Sequence, residues 1–582
     1  MITTTVSVST PRAVATEEPR SYAVWLTVER AAYIAIFLIA AGIRLAQLAL
    51  RPLAPAEAAD ALGAWRWLQG DASWQVSASP LVFGLNLWTF GLLGTTDALA
   101  RLWPALLGAC LPLLVYPLRE RLGRAGALVA ALLLALSPHL VFFSRYLSGD
   151  SAVAFGALLA LVSLARYAEG REARWFILGA VALGALLTAG HNAYLALVGL
   201  ASLYFAWSPE LREKGFSWPA GEVARRGLLS LALAFILAAT AFMRRWDGVG
   251  DAANLLARWL AGFRLAWGEY PFYWLPLRLL LDEPLLAVGG LVSLAVLWRG
   301  RQRGFEAGLV AWAVGTLLVA SLRSARLPGD LVVTLVPLAL LTGPMLVRFL
   351  ERFDWREDGR ETLILLGAVL ILAVMAFLWL AGYGQTGDRD YLLAFLAPVI
   401  ILLGIVLSYA YWFRWEKTWL ALGLAGLLIL ALVTVSLAWV SNQDADLTRR
   451  PAILWETSAN DVGDLVDQVK MLSAQRVGDQ YEIPLLVVGD PPNPVLAWYF
   501  RHFRQVRFVA GVSANPTSPA IITTGETLPT LGERYVGSRF PVRVVWSPLG
   551  LSAKDAVRWL LYRLADAPLY KEQVILWVER PG

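Results

Sequence analysis

The chain has a single cysteine, Cys110, so it can form no internal disulfide and no cysteine-rich metal site. Histidine is nearly as scarce. His139, His191 and His502 are the whole complement, too few for a histidine-based metal centre. Charge is short as well: 16% of residues are charged, where a soluble domain carries about a quarter. Residues 1–28 are rich in Thr and Ser and lack a basic start running straight into an apolar core. They read as a cytosolic tail rather than a cleaved signal peptide. The net charge of +6 is spread over many loops, and no nucleic-acid partner is expected.

What is abundant is apolar sequence, at 58% of residues. It comes in runs of about 15–22 residues between charged knots, the length that a hydrocarbon slab of ~30 Å requires. Inside lipid only helices and closed barrels satisfy the backbone, and strand alternation is absent from the runs. The expected fold is therefore mainly α, a polytopic bundle with spans near 29–50, 101–118, 125–143, 151–168, 175–187, 193–207, 227–243, 284–298, 306–321, 330–349, 361–382, 392–412 and 419–440. The pair 175–187 and 193–207 also reads as one broken element around Ala189-Gly190-His191-Asn192. The apolar stretch 82–94 is shorter than the ~17 residues a span needs, and with Trp88 and Phe90 it reads as an interfacial helix.

Treating 82–94 as non-spanning sets the orientation through the Lys/Arg bias of short loops. Loops holding Arg119, Arg121 and Arg124, then Arg166, Arg171 and Arg174, then Arg299, Arg301 and Arg303 fall on one side, the cytosolic one. The protein is expected in the plasma membrane, with its N-terminus inside and residues 441–582 outside. Arg244, Arg245, Arg258, Arg264, Arg278, Arg323 and Arg326 then sit on the outer side against the rule and call for another explanation. Arg44, late in the first span, reads as snorkelling to the interface.

From about 441 onward charge rises and Pro and Asn enter the loops. Ile483–Val488, Val506–Val509, Ala520–Thr523 and Gln573–Val578 read as strands, and 494–503 and 553–564 as helices. Alternating strands and helices suggest a small extracytoplasmic α/β domain. No Gly-rich phosphate loop, HExxH or GxSxG occurs in it, so it is assigned no catalysis. Trp498 and Tyr499 read either as core aromatics or as a surface that stacks on sugar.

On this topology the outer carboxylates are Glu57 and Asp60, three apart and so on one helix face, and Asp150 at the mouth of the fourth span. A carboxylate can deprotonate an acceptor hydroxyl, and the outer arginines suit phosphate. Plainer readings stand beside these: Glu57 as a loop carboxylate, Asp60 as a solvated helix residue, and Asp150 as the N-cap of its span. A divalent cation between Glu57 and Asp150 would find few of the roughly six oxygens it needs.

RPLAPAEAADA, ARLWPALLGACLPLLVYPLRERLGR, ALVAALLLALSPHLVFFSRYLSGD and LLTAGHNAYL, within residues 51–194, resemble the N-terminal half of GT-C membrane glycosyltransferases. These include the dolichol-phosphate-mannose protein mannosyltransferases and the aminoarabinose transferases of lipid A. GEYPFYWLPLRLLLDEPL, SLRSARLPGDLVVTLVPLALLTG and LAWYFRHFRQVRFV extend the likeness to the flippase-activity-associated branch. The resemblance implies inverting transfer of a sugar from a polyprenyl-phosphate donor, at the outer face, to a protein, lipid or glycan acceptor.

It also implies a site with Glu57, Asp150 and Asp60 as catalytic carboxylates and Arg326, Arg145, His191, Asn192 and Tyr273 on the substrate. Membrane lipid is the surrounding partner, and no cofactor beyond that possible divalent cation is implied. Several positions depart from the pattern. The family's Asp-Glu pair reads Ala56-Glu57, its Lys-Pro reads Ser79-Pro80, and its Thr-Lys-Glu-Asn reads Ala189-Gly190-His191-Asn192. Its later Glu-Lys-x-Pro reads Ala325-Arg326-Leu327-Pro328. A Glu one residue along a helix is turned by about 100°, so Glu57 does not inherit the lost Asp's geometry. The alternatives are a degenerate relative that binds or presents lipid-linked glycan, and a transporter, which would need charge along the spans.

Overall fold

The computed structural model describes residues 27–71, 78–263, 270–300, 304–353, 359–413, 415–443, 453, 456–489, 492–513, 516–525, 531, 534–547, 550–564 and 569–580. The expected N-terminal tail lies almost wholly outside the described residues. The helical part runs α1 (Val28–Leu45), α2 (Pro55–Leu68), α3 (Pro80–Leu93), the short α4 (Asp97–Ala100) and α5 (Leu102–Cys110). A 3-10 stretch, Leu111–Leu118, and α6 (Arg119–Leu122) prolong α5. Then come α7 (Arg124–Leu136), α8 (Pro138–Ser144), α9 (Asp150–Gly170), α10 (Ala173–Ala189), α11 (Asn192–Glu213), α12 (Gly221–Ala239) and α13 (Gly248–Ala261). The series closes with α14 (Trp274–Asp282), α15 (Pro284–Gly300), α16 (Phe305–Leu322), α17 (Leu331–Leu350), α18 (Gly359–Thr386), α19 (Arg389–Phe413) and α20 (Trp415–Gln443).

Each of the thirteen segments expected to cross a membrane is helical over most of its length. Among the described residues seven helices are long and apolar enough to cross, and nine if each bent pair is one span. The segments 175–187 and 193–207 are two helices, α10 and α11, broken at Gly190, whose φ of 151° suits glycine. Helix α3 has 14 residues, about 21 Å at 1.5 Å per residue, too short to cross. It does not lie free on a surface: Phe83, Leu87 and Phe90 are buried, against α2, α10 and α12.

Two helix breaks shape the bundle. Proline lacks an N–H and starts helices more readily than it continues them. Pro138 bends α7 against α8 by 55°, and Pro284 bends α14 against α15 by 112°. The breaks meet: the Glu283 carboxylate accepts from the Ser137 hydroxyl at 2.6 Å and from the His139 N–H at 2.8 Å. A carboxylate from one bend thus caps the positive end of the helix that begins at the other. Helix α17 is central, with every residue from Leu331 to Pro344 buried, as an all-apolar helix should be. Helices α18 and α19 lie at the rim and expose Ile364, Ile371, Leu393 and Ile400.

The C-terminal domain is a six-stranded mixed sheet of order β1-β5-β6-β4-β2-β3. Its strands are β1 (Glu456–Ser458), β2 (Leu485–Val488), β3 (Val506–Val509), β4 (Ala520–Thr524), β5 (Tyr535–Trp546) and β6 (Leu569–Glu579). Its helices are α21 (Asp461–Val477), α22 (Pro494–Tyr499) and α23 (Ala553–Tyr562). The sequence reading anticipated every one of these except β1, β5 and α21. The α/β character stands.

Arg44 corrects one expectation. It does not snorkel but is fully buried, donating to the Ala135 and Leu134 carbonyls at 2.8 and 3.1 Å and to the Ser144 hydroxyl at 3.2 Å. Several of the arginines that break the charge rule also have partners. Arg278 pairs with Asp282 at 2.7 Å, Arg323 with Asp330 at 2.9 Å and Arg245 with Asp251. Arg244 lies 4.9 Å from the Trp88 ring centroid. Arg245, Arg278 and Arg323 are thus neutralised by carboxylates and do not act as free positive charge.

Candidate active site

Glu57 stands third in α2, where its carboxylate reaches back to the Ala54 N–H at 2.9 Å. Arg101 meets it with two parallel bonds, Nε to Oε1 at 2.7 Å and Nη2 to Oε2 at 2.6 Å, the strong fork geometry of a guanidinium on a carboxylate. The Leu147 N–H adds a fourth donor at 2.7 Å. Arg101 also holds the carbonyls of Leu48, Arg51 and Pro52. Glu57 is 1% exposed, and its acceptor capacity is spent. Four donors use the lone pairs of both Glu57 oxygens, which leaves none for a substrate proton or for a cation shared with Asp150.

The bond to Leu147 ties this frame to the loop that ends at Asp150. Asp150 is the first residue of α9, and Gly149 holds the cap position. Its carboxylate forms no cap bond. Oδ2 accepts from the Ser148 hydroxyl and Oδ1 from the Asn192 amide, both at 2.9 Å. The side chain is half-buried, and each oxygen keeps a lone pair beyond these bonds. Gly149 is packed so closely that a Cβ would stand 1.6 Å from the Ala189 carbonyl oxygen and 3.0 Å from Ser79 Cβ. A Cβ on Gly329 would stand 2.9 Å from Asp150 Oδ2, so the Pro328–Asp330 turn passes directly over the carboxylate. Asp330, fully buried, accepts from Arg323 at 2.9 Å and from the Leu327 N–H at 3.2 Å, with His191 Nε2 3.8 Å away.

Three other stretches therefore meet the loop that carries Asp150: Ser79-Pro80 beside Gly149, His191-Asn192 through the Asn192 bond, and the Pro328–Asp330 turn that follows Ala325–Leu327. Asp60 does not join them. It sits half-buried one turn after Glu57, within electrostatic reach of Tyr146. Burial, and after it Glu57 and Asp60, push the Tyr146 phenol well above its ordinary value. Arg326, with φ at 43°, is buried and gives Nε to the Ser321 carbonyl at 2.9 Å and Nη1 to the Tyr270 carbonyl. These bonds brace the turn, where the sequence suggested a phosphate contact. Tyr273 is exposed at the start of α14.

Beside Glu57 a cleft opens between the bundle and β1, lined by Gln47, Arg51, Arg145, Tyr146, Ser458 and Asn460. Arg145 is pinned by the carbonyls of Ile43 at 2.8 Å, Ala46 at 2.6 Å and Gln47 at 3.1 Å. Burial, with Arg101 beside it, pulls its guanidinium down to about 10, which leaves it cationic at neutral pH. Trp498 and Tyr499 follow the packing alternative. Their Nε1 and hydroxyl donate to Asp97 at 2.8 and 2.5 Å, and Tyr499 accepts from the Leu53 N–H at 2.8 Å. They seat the C-terminal domain on the bundle and do not present a sugar platform.

Arg101 and Asp330 were missed from the sequence, and Arg323 was noted only as an arginine against the charge rule. Arg101 carried a signal, as a charge at the edge of an apolar run. Among the described residues no three His, Cys, Asp or Glu side chains group as metal ligands.

The sequence profile of the dolichyl-phosphate-mannose-protein mannosyltransferases matches residues 89–243. An undecaprenyl phosphate-alpha-4-amino-4-deoxy-L-arabinose arabinosyl transferase of Pseudomonas paraeruginosa is 30% identical over 387 residues, 64% of this chain and 67% of that one. The chain belongs to this family of GT-C membrane glycosyltransferases. The Pseudomonas aeruginosa arabinosyl transferase is 29% identical over 400 residues, with the same coverage of 64% and 67%. The crystal structure of ArnT from Cupriavidus metallidurans bound to undecaprenyl phosphate shares the GT-C fold, with a TM-score of 0.55 and 16% identity. That match covers 96% of this chain and 98% of ArnT. Like the rest of the family, this GT-C protein is an integral membrane protein, and the Asp150 cluster lies at the end of its bundle that carries the sheet domain.

Proposed function

We propose that this chain transfers a sugar from a polyprenyl-phosphate donor to an acceptor hydroxyl, with inversion, and that Asp150 is the base. The observation that carries the reading is the convergence of three separated stretches on the loop that holds the half-buried Asp150 carboxylate. Asp150 takes the acceptor proton as the acceptor oxygen attacks the anomeric carbon, and the polyprenyl phosphate leaves with the electrons of the broken C–O bond. Asn192 and Ser148 orient the carboxylate. His191, steadied by Asp330 and Arg323, faces the same space. Arg145 and Arg51 make the neighbouring cleft a cationic seat for the leaving phosphate, for which charge-assisted bonds are the strong ones. The arabinosyl transferases named above support a polyprenyl-phosphate donor. The charge pattern of the loops supports an extracytoplasmic site, an N-terminus in the cytosol and thirteen crossings in the plasma membrane. The acceptor is a protein, lipid or glycan.

A second reading, binding without turnover, is favoured by Ala56, which stands where the family has its Asp. Single-turnover transfer from radiolabelled polyprenyl-phosphate sugars in membranes separates the two. Transfer by the wild-type chain that Asp150→Asn abolishes supports the first reading. Transfer only by Ala56→Asp supports the second. Wild-type transfer undiminished in Asp150→Asn would remove Asp150 from the chemistry.

A further inference from the structure

A cavity of about 430 Å3 opens among α9, α10, α11 and α12, lined by Leu164, Tyr167, Phe176, Leu183, Leu200 and Leu231 among others. Its volume is that of a small-ligand site, which ordinarily places a few polar groups among apolar walls. This one is lined almost wholly by carbon. Along α9 the lining begins at Ala160, ten residues beyond Asp150, so about 15 Å at 1.5 Å per residue separates it from the polar cluster. It occupies the other half of the bundle. Its lining includes the small residues Ala160, Gly179, Ala201 and Gly227.

The rim is different in kind. The Trp218 indole donates to the Tyr204 hydroxyl at 3.0 Å, and Arg171 lies 4.6 Å from the Phe216 centroid while holding the Gly215 and Ser217 carbonyls. Aromatic rings of this sort gather at the level of lipid headgroups. Between Arg166 and Arg226 the chain carries seven cations against five carboxylates. Arg174, Arg225 and Arg226 are largely exposed, and among the described residues each pairs with the exposed Glu172 or Glu222. Such surface pairs are worth little, so these guanidinium groups are free to exchange partners.

We propose that this cavity binds one acyl chain of an anionic glycerophospholipid from the leaflet remote from the C-terminal domain, with its phosphate at Arg174, Arg225 and Arg226. The apolar walls exclude a sugar, and the cationic rim selects an anionic headgroup, as basic pockets between transmembrane helices do. The tail of a donor bound at Asp150 would arrive from the opposite end and bring no charge to this rim.

The test uses the full chain purified in mild detergent. Native mass spectrometry with lipid extraction is expected to find one phosphatidylglycerol or similar anionic phospholipid per chain. Ala201→Trp, which fills the cavity, is expected to lose it. The triple variant Arg174→Ala/Arg225→Ala/Arg226→Ala keeps a phospholipid but loses about tenfold of its preference for anionic over zwitterionic lipid. Photocrosslinking of phosphatidylglycerol with a diazirine on its acyl chain needs no variant and should mark peptides of α9–α12. Wild-type protein free of phospholipid, a polyprenyl phosphate retained in its place, an Ala201→Trp variant with full lipid load, or crosslinks elsewhere would each overturn the proposal.

Discussion

The Tyr499 hydroxyl donates to the Asp97 carboxylate at 2.5 Å while accepting from the Leu53 N–H. One side chain of the sheet domain thus grips two strips of the bundle, both next to the Arg101–Glu57 frame. Burial, and after it Asp97, push the phenol well above its ordinary value, so it keeps its donor proton across the working range of pH. Tyr499→Phe removes both bonds and leaves the Leu53 N–H without this partner. A loss of about 1–3 kcal/mol is expected, the cost of a buried group left unpaired. Thermal melting of the detergent-solubilised protein measures it, and an unchanged melting temperature would deny Tyr499 this role.

Glu57→Gln should be severe for a structural reason. Removing one partner of a buried ion pair costs about 3–5 kcal/mol, because the other charge stays buried and uncompensated. The double variant Glu57→Gln/Arg101→Met is expected to be less destabilised than Glu57→Gln alone. A double-mutant cycle on melting checks this, and simple additivity of the two substitutions would argue against the coupling.

Asp150→Asn behaves oppositely. It keeps the shape of the side chain, so melting should change little, while sugar transfer falls by about 10²–10⁴, the usual worth of a positioned base. Rate and melting curve must be read on the same preparation. A parallel fall in both would mark Asp150 as structural.

Asp282 lies between Arg278 at 2.7 Å and Arg563 at 3.2 Å, with His139 Nε2 at 3.8 Å. Arg563 belongs to the sheet domain, and it also donates to the Leu281 carbonyl at 2.6 Å. Asp282→Asn leaves two buried guanidinium groups short of countercharge and should cost about 3–5 kcal/mol. Limited proteolysis should then release the sheet domain from the bundle faster than in the wild type. Equal cutting rates would show that this cluster does not hold the domains together.

The apolar runs were legible because lipid dictates composition residue by residue, and each expected span has its helix. Charged residues were not legible in the same way, since their meaning depends on distant partners. Arg44 looked like a snorkelling residue because Ser144 and Ala135 lie 100 and 91 residues away in sequence. Glu57 looked like a reactive carboxylate because Arg101, 44 residues on, read as the start of a span. Asp150 was found from its place at a span mouth, but its link to Asn192, 42 residues later, needed the folded bundle. Asp330 was overlooked because nothing near it in the chain says that Gly329 brings it over Asp150.

The contacts between Tyr499 and the bundle join residues 402 and 446 positions apart. During synthesis Leu53 and Asp97 are therefore made and threaded long before their partner exists. Closing so long a loop adds an entropic cost that only the finished contacts offset. Arg101 and Glu57 can meet early, but the strip they hold is clamped from its far side only after the sheet domain has been made and folded. A chain interrupted between residues 443 and 499 would contain every helix of the bundle yet lack that clamp. The order of synthesis thus makes the final stretch of the protein a checkpoint on everything inserted before it.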